Sequence, residues 1–385
     1  MTIGWRNTLL CSFVLCAAPP ASARVAFTGY GDLRWSLLTR AGIGGTPAAL
    51  KALKAEEGES HSQSFRADAV GLFATTELRE DLSFQLDLSY RDIGAQVGQT
   101  RMQYAYLDYS ALPDTSLKAG RFMLPLGYYN ENRFYPFHRD PVNPPVFTAS
   151  ILGLPISDWG VSASKKFPGE AFTPELSLFA VNGYGPVSGT KDHLREPTPL
   201  GLSLANSLRA SDANHKPAWG GRAKLSAGDS EAGFSYYRGE WDSSGTKALQ
   251  MMSLHAHARA AGLDAVVEGL RMEAEGDQGF KDAVGGPDWR TTGFLGSLSY
   301  SLSGPRGLPL VPFAQMEYYL TRTKDGSGSR ELLRSHSAGL ALRAASGLIL
   351  KAEYIRLFYL LPMESKGGEI HIAADGVTLG LVITY

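Results

Sequence analysis

Val377-Thr378-Leu379-Gly380-Leu381-Val382-Ile383-Thr384-Tyr385 sets a large apolar side chain at every second position, and Thr378, Gly380 and Thr384 fill most of the gaps. A period of two sends Val377, Leu379, Leu381, Ile383 and Tyr385 to one face of an extended strand. Soluble proteins seldom finish on such a segment with an aromatic as the terminal residue. The pattern predicts the closing strand of a barrel whose apolar face meets lipid.

The other end of the chain predicts the matching address. Arg6 is a positive start, Leu9–Ala18 a short apolar run, and Ala21-Ser22-Ala23 a small-residue cleavage site. We expect residues 1–23 to be a cleaved signal and residues 24–385 to form one domain in the outer membrane of a Gram-negative bacterium. The apolar run is too short to span a bilayer as a helix. Leu15 stands before Cys16 where a lipoprotein needs a small residue. Both cysteines, Cys11 and Cys16, fall inside the signal, which excludes disulfides, thiolate metal sites and cysteine catalysis from residues 24–385. Acidic and basic residues nearly balance, with a net charge of −1, so a broad basic surface for nucleic acid is excluded. Mean hydropathy is −0.13 and no long apolar run follows the signal. Helical spans are thereby excluded, but a β-barrel needs apolar residues only at alternate positions.

Period-two segments between turn signals number sixteen. They are Val25–Leu38, Phe65–Thr76, Leu82–Arg91, Arg101–Ser110, Ser116–Leu124, Asp158–Phe167, Pro174–Gly183 and Ala218–Gly228, followed by Glu231–Trp241, Ala248–Ala261, Leu263–Gly276, Arg290–Leu302, Leu310–Arg322, Arg334–Ala345, Leu348–Leu360 and Ala374–Tyr385. An even number suits a single-chain barrel. Connections after odd strands are long, at 39–64, 92–100, 125–157, 184–217, 277–289, 323–333 and 361–373, and those after even strands are short. Asp242–Lys247 is the exception, an outside connection that is short. Aromatic groups near strand ends (Tyr104/Tyr106/Tyr109, Tyr236/Tyr237/Trp241 and Tyr318/Tyr319) predict interfacial girdles. These two features favour an all-β, 16-stranded antiparallel transmembrane β-barrel over a secreted sandwich. Lys51–Glu57 has helical character and reads equally well as a solvated loop.

Sixteen strands enclose an aqueous bore. The third outside connection, 125–157, is dense in proline and aromatics, and such a loop needs something to pack against. An inward-folded third extracellular loop would narrow the bore, with Glu131, Arg133, His138, Arg139 and Asp140 presenting opposed charges at a constriction. The alternative is an external lid with the same charges paired.

Leu117-Lys118-Ala119-Gly120-Arg121-Phe122-Met123-Leu124-Pro125-Leu126-Gly127 resembles the L-x-x-G-x-F-x-x-P-x-G hairpin of the phosphate-selective porin O/P family, and Tyr104–Tyr109 fits the strand before it. The resemblance covers roughly 100–185. It implies a sixteen-stranded porin, commonly a homotrimer, with an inward third loop. That family's selectivity depends on a dense ladder of inward arginines. Here Arg222 and Lys224 alternate inward beside Arg121, but Asp87, Asp108, Glu317 and Glu353 offset them, so phosphate selectivity is not carried over.

His255, His257 and Arg259 share the face opposite Leu254, Ala256 and Ala258, which reads as the lumen face. Two histidines at this spacing suit a metal only with a third ligand, and none is identifiable, so neither a metal nor another cofactor is expected. The leading reading is a water-filled porin for passive diffusion of small hydrophilic solutes or ions, contacting outer-membrane lipids. The alternative is a lipid-acting outer-membrane hydrolase with a histidine-centred site at His255 or His336. On the leading reading the protein is not an enzyme.

Overall fold

The computed structural model describes residues 25–45, 58–93, 96–133, 135–145, 157–183, 215–241, 245–275, 288–303, 307–322, 329–363 and 368–385. The expected signal and the candidate helix at 51–57 lie outside the described residues. The strands, in chain order, are β1 (Val25–Gly45), β2 (Gly58–Arg79), β3 (Leu82–Ile93), β4 (Gln96–Tyr109), β5 (Thr115–Met123), β6 (Ser157–Lys166), β7 (Thr173–Val181) and β8 (Ala218–Ala227). They continue with β9 (Ser230–Glu240), β10 (Ala248–Ala260), β11 (Leu263–Glu275), β12 (Asp288–Tyr300), β13 (Pro309–Arg322), β14 (Ser329–Ala345), β15 (Leu348–Met363) and β16 (Gly368–Thr384). Beyond Ser301, β12 is prolonged by Leu302–Ser303, which pairs with the start of β13. A four-residue helix, α1 (Tyr129–Asn132), follows β5.

Each strand pairs antiparallel with its chain neighbours, and β1 also pairs with β16, from Tyr30 opposite Thr384 to Gly45 opposite Ile370. Gly29 and Tyr385 exchange backbone hydrogen bonds of 2.8 and 3.0 Å that prolong this seam. The sheet closes and leaves no edge, which is what a lipid environment requires of strands. This is the predicted sixteen-stranded antiparallel barrel.

All sixteen predicted strands are present within a few residues at the ends near the short turns, but several run further at the long-connection ends. The connection expected at 39–64 contracts to 46–57, and that at 92–100 to 94–95. Ser60, Glu59 and Gly58, none of them apolar and large, continue the ladder opposite Ala41, Gly42 and Ile43. Backbone pairing needs no apolar side chain, so a strand outlasts the alternation that reveals it.

Side chains divide between two faces as the period of two demands. Leu254 is 66% exposed on the outward face, while His255 beside it is 2% exposed on the inner one. On β16, Leu379 and Ile383 point outward, and Thr378 and Val382 are buried inward. The inner face of β16 is covered at Gly380, where Val142 Cγ1 lies 3.0 Å from the position a Cβ would take.

The aromatic groups also need correction. Adjacent residues of a strand face opposite ways, so Tyr236 and Tyr318 point outward, but Tyr237 and Tyr319 are fully buried inside. Tyr104 likewise turns inward, its ring stacked 6.4 Å from that of Phe73. Toward the ends carrying the long connections, Phe122, Phe179, Tyr237, Met251, Met272, Tyr319 and Leu333 belong to one buried apolar cluster within the barrel. The bore is thus partly packed rather than uniformly polar.

Close approach of strands is visible at Gly339 on β14. A Cβ there would stand 2.0 Å from the Ala352 carbonyl oxygen and 2.6 Å from Phe313 Cζ. Glycine is suited to a point where another backbone comes this near. Gly339→Ala is expected to destabilise the barrel by about 1–3 kcal/mol, the usual cost of overpacking, in urea titrations of vesicle-folded protein followed by tryptophan fluorescence. An unchanged midpoint would contradict this packing.

Candidate functional site

The segment 124–145 follows β5, and its bonds reach inward-facing side chains around much of the barrel. Leu124 and Leu126 join the buried apolar cluster, which carries the chain inward from the end of β5. Gly127 then adopts φ of +71°, a conformation natural to glycine. A Cβ on Gly127 would meet Glu268 Oε1 at 1.8 Å. The Gly127 amide donates to Ser235 Oγ at 3.3 Å, and the Tyr128 and Tyr129 amides donate to Glu268 Oε2 at 3.1 and 2.9 Å. Glu268 therefore takes two amide donors that the start of α1 would otherwise leave without partners. Asn130, fully buried, donates to the Leu124 carbonyl at 2.8 Å and holds the turn closed.

Two charged groups fix α1 to the β8–β11 arc. Glu131 accepts from Arg222, whose other nitrogen lies 3.5 Å from Glu175. Lys224 bridges Glu175 at 3.2 Å and Glu231 at 3.4 Å, and Glu231 stands 3.5 Å from His255 Nε2. In the second group, Arg133 and Arg259 both donate to Asp264, and His257 Nε2 is 3.5 Å from the same carboxylate. The Tyr128 ring lies over both histidines, with centroids 4.8 Å from His257 and 5.8 Å from His255.

The other half of the segment is fixed to the opposite arc. The Tyr135 hydroxyl donates to Asp87 on β3. Its ring packs with Phe137 among Tyr30 and Phe73, at 5.2–5.9 Å between centroids. Arg34 on β1 is held between Asp32 at 2.7 Å and Asp68 at 2.9 Å, and Arg139 stands 4.0 Å from Asp32. Lys351 on β15 donates to the carbonyls of Pro136 at 2.6 Å, Pro141 at 3.3 Å, and Arg139. Glu353 accepts from the Asn143 amide at 2.7 Å, and Asp140 pairs with Arg343 at 3.1 Å.

In a closed sheet of sixteen strands, β9 lies opposite β1. Bonds from one segment to β8, β9 and β11 on one side, and to β1, β3 and β15 on the other, are therefore bonds across the bore. Of the residues singled out in the sequence, Glu131, Arg222, Lys224 and His255 form one group, and Arg133, His257 and Arg259 meet at Asp264. Arg139 and Asp140 each face their own partner. Arg121 belongs to neither group and donates to Ser157 Oγ at 3.1 Å. His138 is exposed, with its ring edge-on to Phe137 at 4.4 Å. Burial of part of that ring, then the charges of Arg133 and Arg343, hold its imidazole below the ordinary value, so it adds no charge at neutral pH.

The four charged residues of the segment, Glu131, Arg133, Arg139 and Asp140, each meet a wall group of opposite sign. Glu268, Asp264, Lys351, Asp32 and Arg343 do the holding and are not among the residues singled out in the sequence. Their signal is a charged residue at an inward position of a period-two strand, as Glu268 is between Val266 and Leu270. His336, one centre of the hydrolase alternative, lies on the outward face edge-on to Tyr318. Among the described residues no group of three or more His, Cys, Asp or Glu is arranged to hold a metal ion.

No protein-family model matches the sequence, and no curated protein matches it. Solved structures do. An anion-selective porin from Comamonas acidovorans is 13% identical with a TM-score of 0.57, over 94% of this chain and 100% of that one. The outer membrane channel DcaP of Acinetobacter baumannii is 12% identical with a TM-score of 0.57, over 95% and 98%. OmpF of Salmonella typhi, in complex with daunomycin, is 13% identical with a TM-score of 0.56, over 94% and 97%. At these identities the likeness is one of fold.

Gly127→Ala puts a side chain into the Glu268 carboxylate and strains φ, so it is expected to cost about 1–3 kcal/mol. It should also make residues 128–143 more readily cut by trypsin in the vesicle-folded protein. An unchanged unfolding midpoint with an unchanged cleavage pattern would contradict the anchoring role of Glu268.

Proposed function

We propose that this protein is an outer-membrane porin, in which small hydrophilic solutes or ions diffuse passively through the bore of the barrel. The observation that carries this reading is the segment 124–145, bonded to inward side chains on opposite arcs of a closed sixteen-strand wall. A barrel of this size is wider than its own side chains fill, and a segment fastened across it sets the width that remains. Similarity of fold to the porin and channel structures supports the same reading. The hairpin motif at 117–127 supports a closer kinship to the phosphate-selective O/P type, and with it a homotrimer. Phosphate selectivity is not part of the proposal, since Arg34, Arg222 and Arg343 each face a carboxylate.

Charge on the segment acts first as fastening. An arginine already bound to a buried carboxylate contributes little open field, and reversing its sign sets two like charges together. The sequence alone would have charge reversal at Arg133 and Arg139 shift ion selectivity toward cations. With Asp264 as its partner, Arg133→Glu is expected instead to loosen the segment and give noisy, flickering current. A steady current with a shifted reversal potential would contradict the fastening role.

Purified protein in planar bilayers should show stepwise conductance, and replacing residues 128–143 by a short Gly-Ser linker should raise the unit step severalfold. An absence of steps in the unaltered protein would overturn the channel reading. Equal steps in both proteins would place the segment outside the current path.

A further inference from the structure

Four strands carry a charged cluster on the face that meets lipid. On β9–β12, the outward positions nearest the short turns are uncharged: Phe234, Leu254, Leu263, Val267 and Leu298 are all exposed there. Further along the same face, one cross-strand row sets Arg238 beside Gln250, Gln250 beside Glu273, and Glu273 beside Arg290. Arg271 lies two residues along β11 from Glu273, on the same side. Arg290 Nε is 2.6 Å from Glu273 Oε1, and Arg271 donates to the same oxygen. The two guanidinium side chains are 44% and 46% exposed, and Glu273 is 29% exposed.

Spacing places the cluster at a definite depth. Leu263 to Glu273 is ten residues, or about 33 Å of strand, and about 25 Å along the barrel axis at a tilt of 35–45°. That is the height of the apolar band of such barrels, so the arginines stand at its outer margin, where lipid head groups begin. Trp219 lies beside Arg238 across β8–β9, its ring 5.6 Å from that of Tyr236, and aromatic pairs mark this interface. Strands at 4.8 Å spacing bring the three arginines within about 15 Å. Glu273 neutralises one charge and orients two forks, leaving these four side chains with a net charge of +2, while Glu240 and Glu275 stand on the same face one row nearer the long connections. Guanidinium groups bind phosphate through paired N–H donors, and their stems lie along apolar surface with the heads in the polar layer.

We propose that Arg238, Arg271 and Arg290, organised by Glu273, form a binding site for the phosphate of a phosphorylated lipid in the outer leaflet. The site rests on the outer-membrane placement of the barrel and is independent of whether the bore conducts. A contact between subunits of an oligomer would use the same surface differently, because it needs a complementary acidic partner and no lipid.

Native mass spectrometry of the full protein in zwitterionic detergent tests this directly, with bis-phosphorylated lipid A, the same lipid dephosphorylated, and phosphatidylcholine as probes. The phosphorylated lipid should be retained in preference to the other two. Combined Arg238→Ala, Arg271→Ala and Arg290→Ala substitution should weaken its retention about tenfold or more, from the loss of charged hydrogen bonds, while the heat-dependent shift in gel mobility that reports a folded barrel is kept. If the triple variant does not fold, Arg271→Ala and Arg290→Ala singly should each weaken retention. Equal retention of the dephosphorylated lipid, or undiminished retention by folded variants, would overturn the site. Displacement of the lipid by millimolar inorganic phosphate would make it a free-anion site and overturn the lipid assignment. Loss of an oligomer in the variants with lipid retention unchanged would make it a subunit contact.

Discussion

A peptide group in the hydrocarbon core of a bilayer has no water to bond with, so every strand there must be paired on both sides. The rest of the structure depends on that constraint. It requires β1 to find β16, the two strands farthest apart in sequence, and the seam from Tyr30–Thr384 to Gly45–Ile370 meets it. It leaves side chains as the only freedom along each strand, alternately against lipid and against the interior. Closure also fixes what is opposite what: β9 must face β1 across an enclosed space.

That enclosed space is where the sequence departs from simple alternation. An interior holding Glu268, Lys351, Asp32 and Arg34 at 2–4% exposure would be unfavourable if these groups were alone. Each is satisfied by the segment 124–145 or by a neighbour that touches it. Lys351 gathers three carbonyls from 136–141, and Glu268 takes two amides from the start of α1. Breaking one buried pair of this kind leaves its partner's charge uncompensated in the interior, which is costly. The wall charges therefore specify one path for the segment through the barrel. The apolar cluster around Phe122, Tyr237 and Met251 supplies the attraction that brings the segment inside.

Most of the fold was legible because barrel strands announce themselves locally. Leu82–Arg91 and Arg290–Leu302 alternate cleanly, and their hairpin turns are short. The strand ends were less legible, since Gly58–Ser60 pair through backbone alone. The aromatic doublets misled for a different reason: Tyr236 and Tyr237 are neighbours in sequence but a barrel wall apart in space. Glu131, Arg133, Arg139 and Asp140 stood out by composition. Their partners Arg222, Asp264, Asp32 and Arg343 lie on strands far along the chain, and local periodicity carries no register between distant strands. The outward arginines of β9–β12 were invisible for the same reason, because only the pairing of Arg238, Gln250, Glu273 and Arg290 brings them into one row.

On the proposed channel function, the segment crossing the barrel borders the path of the solute. Residues 24–385 contain no cysteine, so a single thiol can be placed at will. His138, exposed and near the middle of the segment, is the position to use, with lipid-facing Leu254 as the reference. In planar bilayers, a charged thiol-specific reagent added to the His138→Cys protein should lower the unit conductance as it reacts, and the same reagent should leave the Leu254→Cys protein unchanged. Complete modification of the thiol introduced in the His138→Cys protein, verified by mass, with no change in current would contradict the claim.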